Sequence, residues 1–329
     1  MNNTQDIRFQ QLQQWLQSFI TDKDYSLAPA SSDASFRRYF RLSQQNGSYI
    51  VMDSPPEHED NQAFIKVATL LEQNGLNVPH IYQQDLQRGF LILSDLGTIP
   101  YLSQLSTSTA DRLYKSAIDS LIKLQKIPSD NQDLPAYDAA LLQRELQLFD
   151  EWFLQKHLKL TPPDWLKSTY DFLIHNALAQ PQVIVHRDFH SRNLMYIPDR
   201  EPGVIDFQDA VIGAISYDLV SLLRDVYIHW SPVEQKNWVD YYIKQAQYHG
   251  LLSSEQAEIF PRWFDLMGLQ RHLKILGIFC RLNYRDNKPN YMNDLALTLK
   301  YVYQVCELYP ELQNLYQYLV EQPQITAIK

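Results

Sequence analysis

The sequence predicts an α+β chain of two lobes: a small N-terminal lobe built on a five-stranded antiparallel sheet with a helix, and a large, mainly helical C-terminal lobe. Three observations carry that expectation. Five strand-like runs separated by turn signals fill the region from Tyr25 to Leu93, with one helical pattern among them. From Ser106 onward the apolar spacing is almost wholly helical. Within that helical region, Val183 to Ala210 interposes three short apolar strands around a polar loop. The break at Ser94-Asp95-Leu96-Gly97 is a natural hinge, so lobes of residues 1–96 and 97–329 are expected.

Taken in order, Thr4 opens an amphipathic helix with Ile7, Leu12, Trp15, Leu16 and Phe19 or Ile20 on its apolar side. Strands follow near Tyr25–Ala28, Phe36–Leu42 and Ser48–Met52, and Asn46-Gly47 joins the last two as a hairpin. The segment from Ala30 to Arg38 is small and polar, then basic. In a nucleotide kinase such a segment would form the loop over the phosphates, although this one lacks the glycines that let backbone approach most closely. Glu59 to Gln73 reads as a helix closed by Asn74-Gly75, and Val78–Tyr82 and Gly89–Leu93 as two more strands. Helical patterns near 107–126, 139–158 and 164–179 precede the short strands. Tyr217–Trp230, Pro232–His249, Ser254–Tyr284, Tyr291–Leu308 and Pro310–Val320 follow them.

The 329 residues include 45% apolar types, enough for a sizeable core. The net charge of −9 argues against a general nucleic-acid or anionic-membrane binder. The start carries no basic region followed by an apolar core, and no apolar run approaches spanning length. Cys280 and Cys306 are the only cysteines and sit within helical patterns, so no disulfide framework is expected. A soluble cytoplasmic protein is the expectation, a monomer with no obligate protein partner.

The chemistry concentrates in one stretch. Val183-Ile184-Val185 delivers His186, Arg187 and Asp188 into a loop, and Asn193 follows Asp188 by five residues. A strand at Leu194–Ile197, a turn through Pro198 to Gly203, and a strand Val204-Ile205 ending at Asp206 complete it. Two strands joined by a tight turn are expected to bring Asn193 and Asp206 together, with Asp188 beside them. Phosphoryl transfer needs this set: one carboxylate to take or orient the proton of an attacking hydroxyl, and a carboxamide and a second carboxylate to hold Mg²⁺ against nucleotide phosphates. The H-R-D-x-x-x-x-N pattern and the Asp206-Phe207 pair match it. Two other readings compete. Buried Asp and Asn often only satisfy backbone groups in turns, and His186-x-Asp188-x-His190 has the spacing of a hydrolase metal cluster. Neither explains Asn193 and the Asp-terminated strand together.

On these residues the chain resembles the aminoglycoside phosphotransferase-like kinases, relatives of protein kinases that act on small molecules. Within them it is most similar to the bacterial anomeric kinases of N-acetylmuramate and N-acetylglucosamine that serve cell-wall recycling. The closer match rests on Asp33 to Arg41, Val51 to Pro56, Gly89 to Gly97 and Phe149 to Trp152. It continues through His186 to Met195, Asp206 to Ala210, Tyr217 to Asp225 and Leu269 to Phe279. The resemblance implies a bilobal protein-kinase-like fold and an ATP- and Mg²⁺-dependent transfer to a sugar's C1 hydroxyl. It implies Asp188 as base and Asn193 and Asp206 as Mg²⁺ ligands. It further places Ser94, Asp95, Leu96 and Gly97 at the adenine hinge, Ser35 in the phosphate loop, and Asp218 as a brace for the loop that begins at His186.

One departure stands out. Where kinase-like folds carry a phosphate-gripping lysine on the third strand, this chain reads Ile50-Val51-Met52-Asp53. Arg37, Arg38 or Arg41 is expected to supply the missing charge. The same departure permits a nucleotide-sensing pseudokinase as an alternative, to be recognised by nucleotide binding without turnover.

Eleven residues separate Asp206 from Asp218, too few for a peptide-docking segment, so a small-molecule acceptor is favoured. Cationic aminoglycosides, the alternative acceptors, want an acidic pocket. Arg271, Lys274, Arg281 and Arg285 instead share roughly one helix face and suit the lactyl carboxylate of N-acetylmuramate, unless that face is merely open to water. Arg192 is a second candidate for an anionic group. Glu145 and Trp152, on one predicted helix, offer a carboxylate and an aromatic face for a sugar.

Overall fold

The computed structural model describes residues 6–20, 24–31, 36–130, 132–198 and 200–328. The chain falls into two compact units, Met1–Thr98 with Gly203–Gln208, and Ile99–Pro202 with Asp209–Lys329.

In the N-terminal unit, helix α1 (Ile7–Leu16) is capped by the Asp6 carboxylate, which accepts the Phe9 N–H at 3.1 Å. Strands β1 (Ser26–Ser31), β2 (Arg38–Gln44) and β3 (Gly47–Asp53), helix α2 (Asn61–Gln73), and strands β4 (Ile81–Asp85) and β5 (Phe90–Ser94) follow. The five strands form one antiparallel sheet in the order β1-β2-β3-β5-β4. Period-two alternation sends Phe40 and Leu42 of β2, Val51 of β3, and Phe90 and Ile92 of β5 into a core with Leu12, Trp15 and Leu16 of α1. The fourth strand begins three residues later than its apolar pattern indicates. Pro79 has no N–H for a ladder, and the His80 N–H turns to the Ser94 hydroxyl at 2.9 Å. Gly89 adopts φ +75°, and a Cβ there would lie 1.9 Å from the Ser54 carbonyl oxygen, so only glycine fits the approach to β5.

The second unit begins with α3 (Tyr101–Gln104), α4 (Ala110–Gln125) and α5 (Ala139–Leu148). The uniform helix expected over 139–158 is not found: from Phe149 to His157 the chain widens into a π-helix. Helix α6 (Leu166–Leu178) leads to β6 (Gln182–Val185) and β7 (Leu194–Met195). The two-residue β8 (Gly203–Val204) clusters with the N-terminal unit, where the Val204 N–H reaches the Asn77 carbonyl at 2.8 Å. Strand β9 (Val211–Ala214), missed in the sequence, pairs antiparallel with β6 from Gln182–Ala214 to Val185–Val211. Its Gly213 lies against Tyr137, which a Cβ would meet at 3.0 Å.

Helix α7 (Tyr217–Leu223) stops well short of the expected Trp230. The Asp225 carboxylate accepts the Tyr227 N–H at 3.1 Å and draws the chain into a local turn instead of a further helical turn. Helices α8 (Pro232–Tyr248) and α9 (Ser254–Asp286) start with capping boxes on Ser231 and Ser253. Helix α10 (Leu295–Leu308) follows a 3₁₀ turn at Pro289–Asp294, and α11 (Gln313–Glu321) and α12 (Pro323–Thr326) close the chain. Cys280 and Cys306 are buried free thiols. Among the described residues no helix is long and apolar enough to cross a membrane.

Candidate active site

The loop after β6 is held from beneath by two carboxylates on or just beyond α7. Asp218 accepts the N–H groups of His186 at 2.6 Å and Arg187 at 3.0 Å. Asp225 accepts the Ser191 N–H at 3.1 Å and its hydroxyl as well. Both carboxylates are buried. Burial pushes Asp218 up to about 7, against the two N–H donors it faces. Asp225 is a residue whose role sequence reasoning missed. Its signal was present: Asp218 and Asp225 stand seven residues apart, two turns along one pattern.

Within the loop, buried His186 accepts the Asp188 N–H on Nδ1 at 3.2 Å and meets the Phe189 ring edge-on. That bond makes Nδ1 the unprotonated nitrogen. Asn193 Nδ2 donates to the Asp188 carbonyl at 3.1 Å, which fixes the end of the carboxamide that turns back into the loop. Burial alone would raise Asp188. The positive charges of His190, Lys274 and Arg271 outweigh it and hold the carboxyl below the usual range. Asp188 is therefore an anion, a state able to accept a proton. Arg187 carries φ +77°, a conformation that non-glycine residues adopt rarely.

A buried charge network stands behind this loop. Glu145 takes the Arg187 guanidinium at 2.5 Å, Lys274 at 2.9 Å and the Tyr137 hydroxyl. Lys274 also donates to the Tyr217 hydroxyl at 3.0 Å. Arg271 donates to Ser221 Oγ at 2.6 Å, with Tyr217 beneath its guanidinium. The four cations of α9 are thus not one face open to water: Arg271 and Lys274 are buried, and Arg285 is exposed and paired with Asp286. Glu145 spends its carboxylate on internal partners, while Trp152 is half-buried on the π-helix. Arg192 stacks over the Tyr227 ring at 3.4 Å.

In the N-terminal unit, Asp206 follows β8 at φ +66° and is exposed, with Gln208 Nε2 donating to it at 2.9 Å. Phe207 is buried against Phe64 of α2, ring centroids 5.1 Å apart. Asp53, in the slot of the missing lysine, is fully buried. Arg8 Nε reaches its Oδ1 at 3.0 Å and Arg38 Nε its Oδ2 at 2.9 Å. Arg41 grips Asp95 at 2.6 Å, and Asp95 accepts the Gly97 N–H at 2.9 Å, which ties off the Ser94–Gly97 segment around Leu96. Arg37 is buried and pairs with Glu59 at 3.0 Å, just ahead of α2. Ser35 lies outside the described residues.

Residues 26–253 match the model of the phosphotransferase enzyme family. The chain belongs to that family. An N-acetylmuramate/N-acetylglucosamine kinase of Pseudomonas putida is 44% identical over 330 residues, covering 96% of this chain and 97% of that one. The protein of the same name from Neisseria meningitidis is 43% identical, covering 94% of each. Among solved structures, an ethanolamine kinase from Plasmodium vivax superposes with a TM-score of 0.69 at 13% identity, covering 94% of this chain and 89% of that one. An ADP-bound aminoglycoside phosphotransferase gives 0.57 at 18%, covering 88% and 97%. The fold is kinase-like, and the chain is an alcohol-acceptor phosphotransferase that uses ATP and a small-molecule substrate.

Among the described residues no three His, Cys, Asp or Glu side chains gather as a metal-binding set, so the His186–His190 cluster lacks the geometry of a hydrolase centre.

Proposed function

We propose that this phosphotransferase moves the γ-phosphoryl group of ATP to the C1 hydroxyl of N-acetylmuramate or N-acetylglucosamine. The observation that carries this reading is near-full-length similarity, at 44% identity, to kinases named for those sugars. Asp188 accepts or orients the hydroxyl proton. A hemiacetal hydroxyl is more acidic than an ordinary alcohol, so a carboxylate held at a low pKa suffices, and most of the acceleration comes from positioning and charge neutralisation. Asn193 and Asp206 hold Mg²⁺, which when bound neutralises charge on the nucleotide phosphates. The Ser94–Gly97 backbone meets adenine. The N-terminal unit is the nucleotide-binding lobe and the C-terminal unit binds the acceptor.

Arg37 is the residue we assign to the vacant lysine role. Arg38 and Arg41 are each committed to a buried or half-buried carboxylate, whereas the Arg37–Glu59 pair at the head of α2 has the make-up of the strand-lysine and helix-glutamate pair of kinases. R37A should raise the KM for ATP at least tenfold. Unchanged nucleotide affinity would return the role to another residue.

The deciding experiment incubates the protein with ATP and Mg²⁺ against N-acetylmuramate, N-acetylglucosamine, aminoglycosides, choline and homoserine, and maps the product by phosphorus NMR. A sugar 1-phosphate is the expected product. A phosphorylated aminoglycoside would favour a resistance activity, and nucleotide binding with no turnover would favour a sensing module.

A further inference from the structure

Helix α9 and the α5–π-helix segment run side by side, and three contacts mark their seam. Glu145 meets Lys274 at 2.9 Å. Gly277 abuts Leu148, whose carbonyl carbon and oxygen a Cβ would approach to 2.3 Å. His157 Nδ1 meets the Tyr284 hydroxyl at 2.9 Å. Both chains advance in the same direction through these contacts. Lys274, Gly277 and Tyr284 stand at offsets of three and seven, the spacing of a single helix stripe, and Arg281 is the position that completes it. Arg281 therefore lies on the stripe of α9 that borders the π-helix, between the Gly277 crossing and Tyr284.

Each other cation proposed for the acceptor is engaged within the fold. Arg271 donates to Ser221, Lys274 to Glu145 and Tyr217, and Arg285 to Asp286, while Arg192 is stacked on Tyr227. Arg281 differs. It is half-buried, its Nε is buried with no hydrogen-bond partner, and the carboxylates of Asp286 and Glu145 act on it only through space, without an ion pair among the described residues. A buried N–H without an acceptor costs free energy, and the planar fork of donors to which this Nε belongs is matched by a carboxylate ligand. The wider turn of a π-helix, here carrying half-buried Trp152, recurs at functional sites.

We infer that Arg281 binds the carboxylate of an acidic amino-sugar acceptor and so sets the preference between N-acetylmuramate and neutral N-acetylglucosamine. This inference rests on the sugar-kinase reading above. Lys274, next to the loop that carries Asp188, stands two turns or about 10 Å back along α9. The reacting hydroxyl would then lie toward Lys274 and the lactyl carboxylate, which hangs off the ring away from C1, toward Arg281.

The test compares steady-state kinetics of the wild type, R281M and R281K on both sugars at saturating ATP. R281M keeps the apolar stem and removes only the charge. It should raise the KM for N-acetylmuramate roughly 10- to 100-fold, change N-acetylglucosamine less than about twofold, leave the KM for ATP unaltered, and melt no lower than wild type. R281K, which keeps the charge without the fork, should fall between the two. Equal losses on both sugars, or none on either, would overturn the inference and leave the function standing. A wild type inert on both sugars would overturn the function and the inference together. Should R281M fail to fold, R281K decides alone: a KM unchanged for the acidic sugar, or raised equally for both, refutes the assignment.

Discussion

At the scale of single residues, the decisive property is the charge state of Asp188. Burial would protonate it, yet His190, Lys274 and Arg271 together keep it ionised. Its folded pKa lies below the ordinary value near 3.9, so the acid limb of kcat/KM that reports this group should fall below pH 4, with rates flat through neutrality. Removing a neighbouring cation must move that limb upward. K274M is expected to shift it upward, visible in a pH profile of the sugar 1-phosphate assay. The same change leaves Glu145 and Arg187 without one member of their buried group and should cost about 3–5 kcal/mol of stability. A profile unmoved by K274M would mean that the limb belongs to another group. The loop that joins Asp188 to Asn193 was legible in the sequence because its residues lie close along the chain, and the roles proposed for Asp188, Asn193 and Asp206 rest on residue types that are chemically diagnostic. Glu145, Arg187 and Lys274 were not legible as a unit, because three distant segments meet to make it and a sequence shows only three charged residues.

At the scale of elements, α9 does most of the positioning. It carries Arg271 and Lys274 behind the loop and runs along the π-helix with backbone nearly touching at Gly277 and Leu148. G277A should force the two apart. A loss of about 1–3 kcal/mol in denaturant unfolding is expected, as for other overpacked sites, together with weaker acceptor binding and an unchanged KM for ATP. Stability equal to wild type would show that the seam can yield. The apolar periodicity of α9 and of α5 was readable, and so were the starts of α8 at Pro232 and α9 at Ser254. The π-helix was not, since one inserted residue per turn leaves the apolar count almost unaltered. Strand β9 was missed because Val211-Ile212-Gly213-Ala214 is short and contains glycine, and only its pairing with β6 makes it a strand. Asp225 cut α7 short through a side-chain bond that propensity does not register.

At the scale of the whole molecule, the chain does not divide at one hinge. Residues 203–208 return to the N-terminal unit after more than a hundred residues of the other. The N-terminal unit thus takes Phe207 into its own packing, against Phe64. A fragment ending at Thr98 would lack that ring. F207A in the full chain should destabilise by about 3–5 kcal/mol, and hydrogen exchange should report the loss first in α2. Protection lost elsewhere while α2 stays protected would contradict this. Five strands and the β2–β3 hairpin followed from turn signals and alternation, but this return of the chain did not, because a two-residue strand carries too little pattern to declare its partner.

The burial of Asp53 between Arg8 and Arg38 has a consequence for how this kinase can be addressed and altered. Strand β3 offers no amine, so acylating nucleotide reagents aimed at a third-strand lysine have no target there. Nor can one exchange reinstate that lysine. D53K would set a third cation at a buried position against Arg8 and Arg38, with only the Asp6 carboxylate on Arg38 to offset the three, so a third-strand lysine is reachable only if Arg8 and Arg38 change as well.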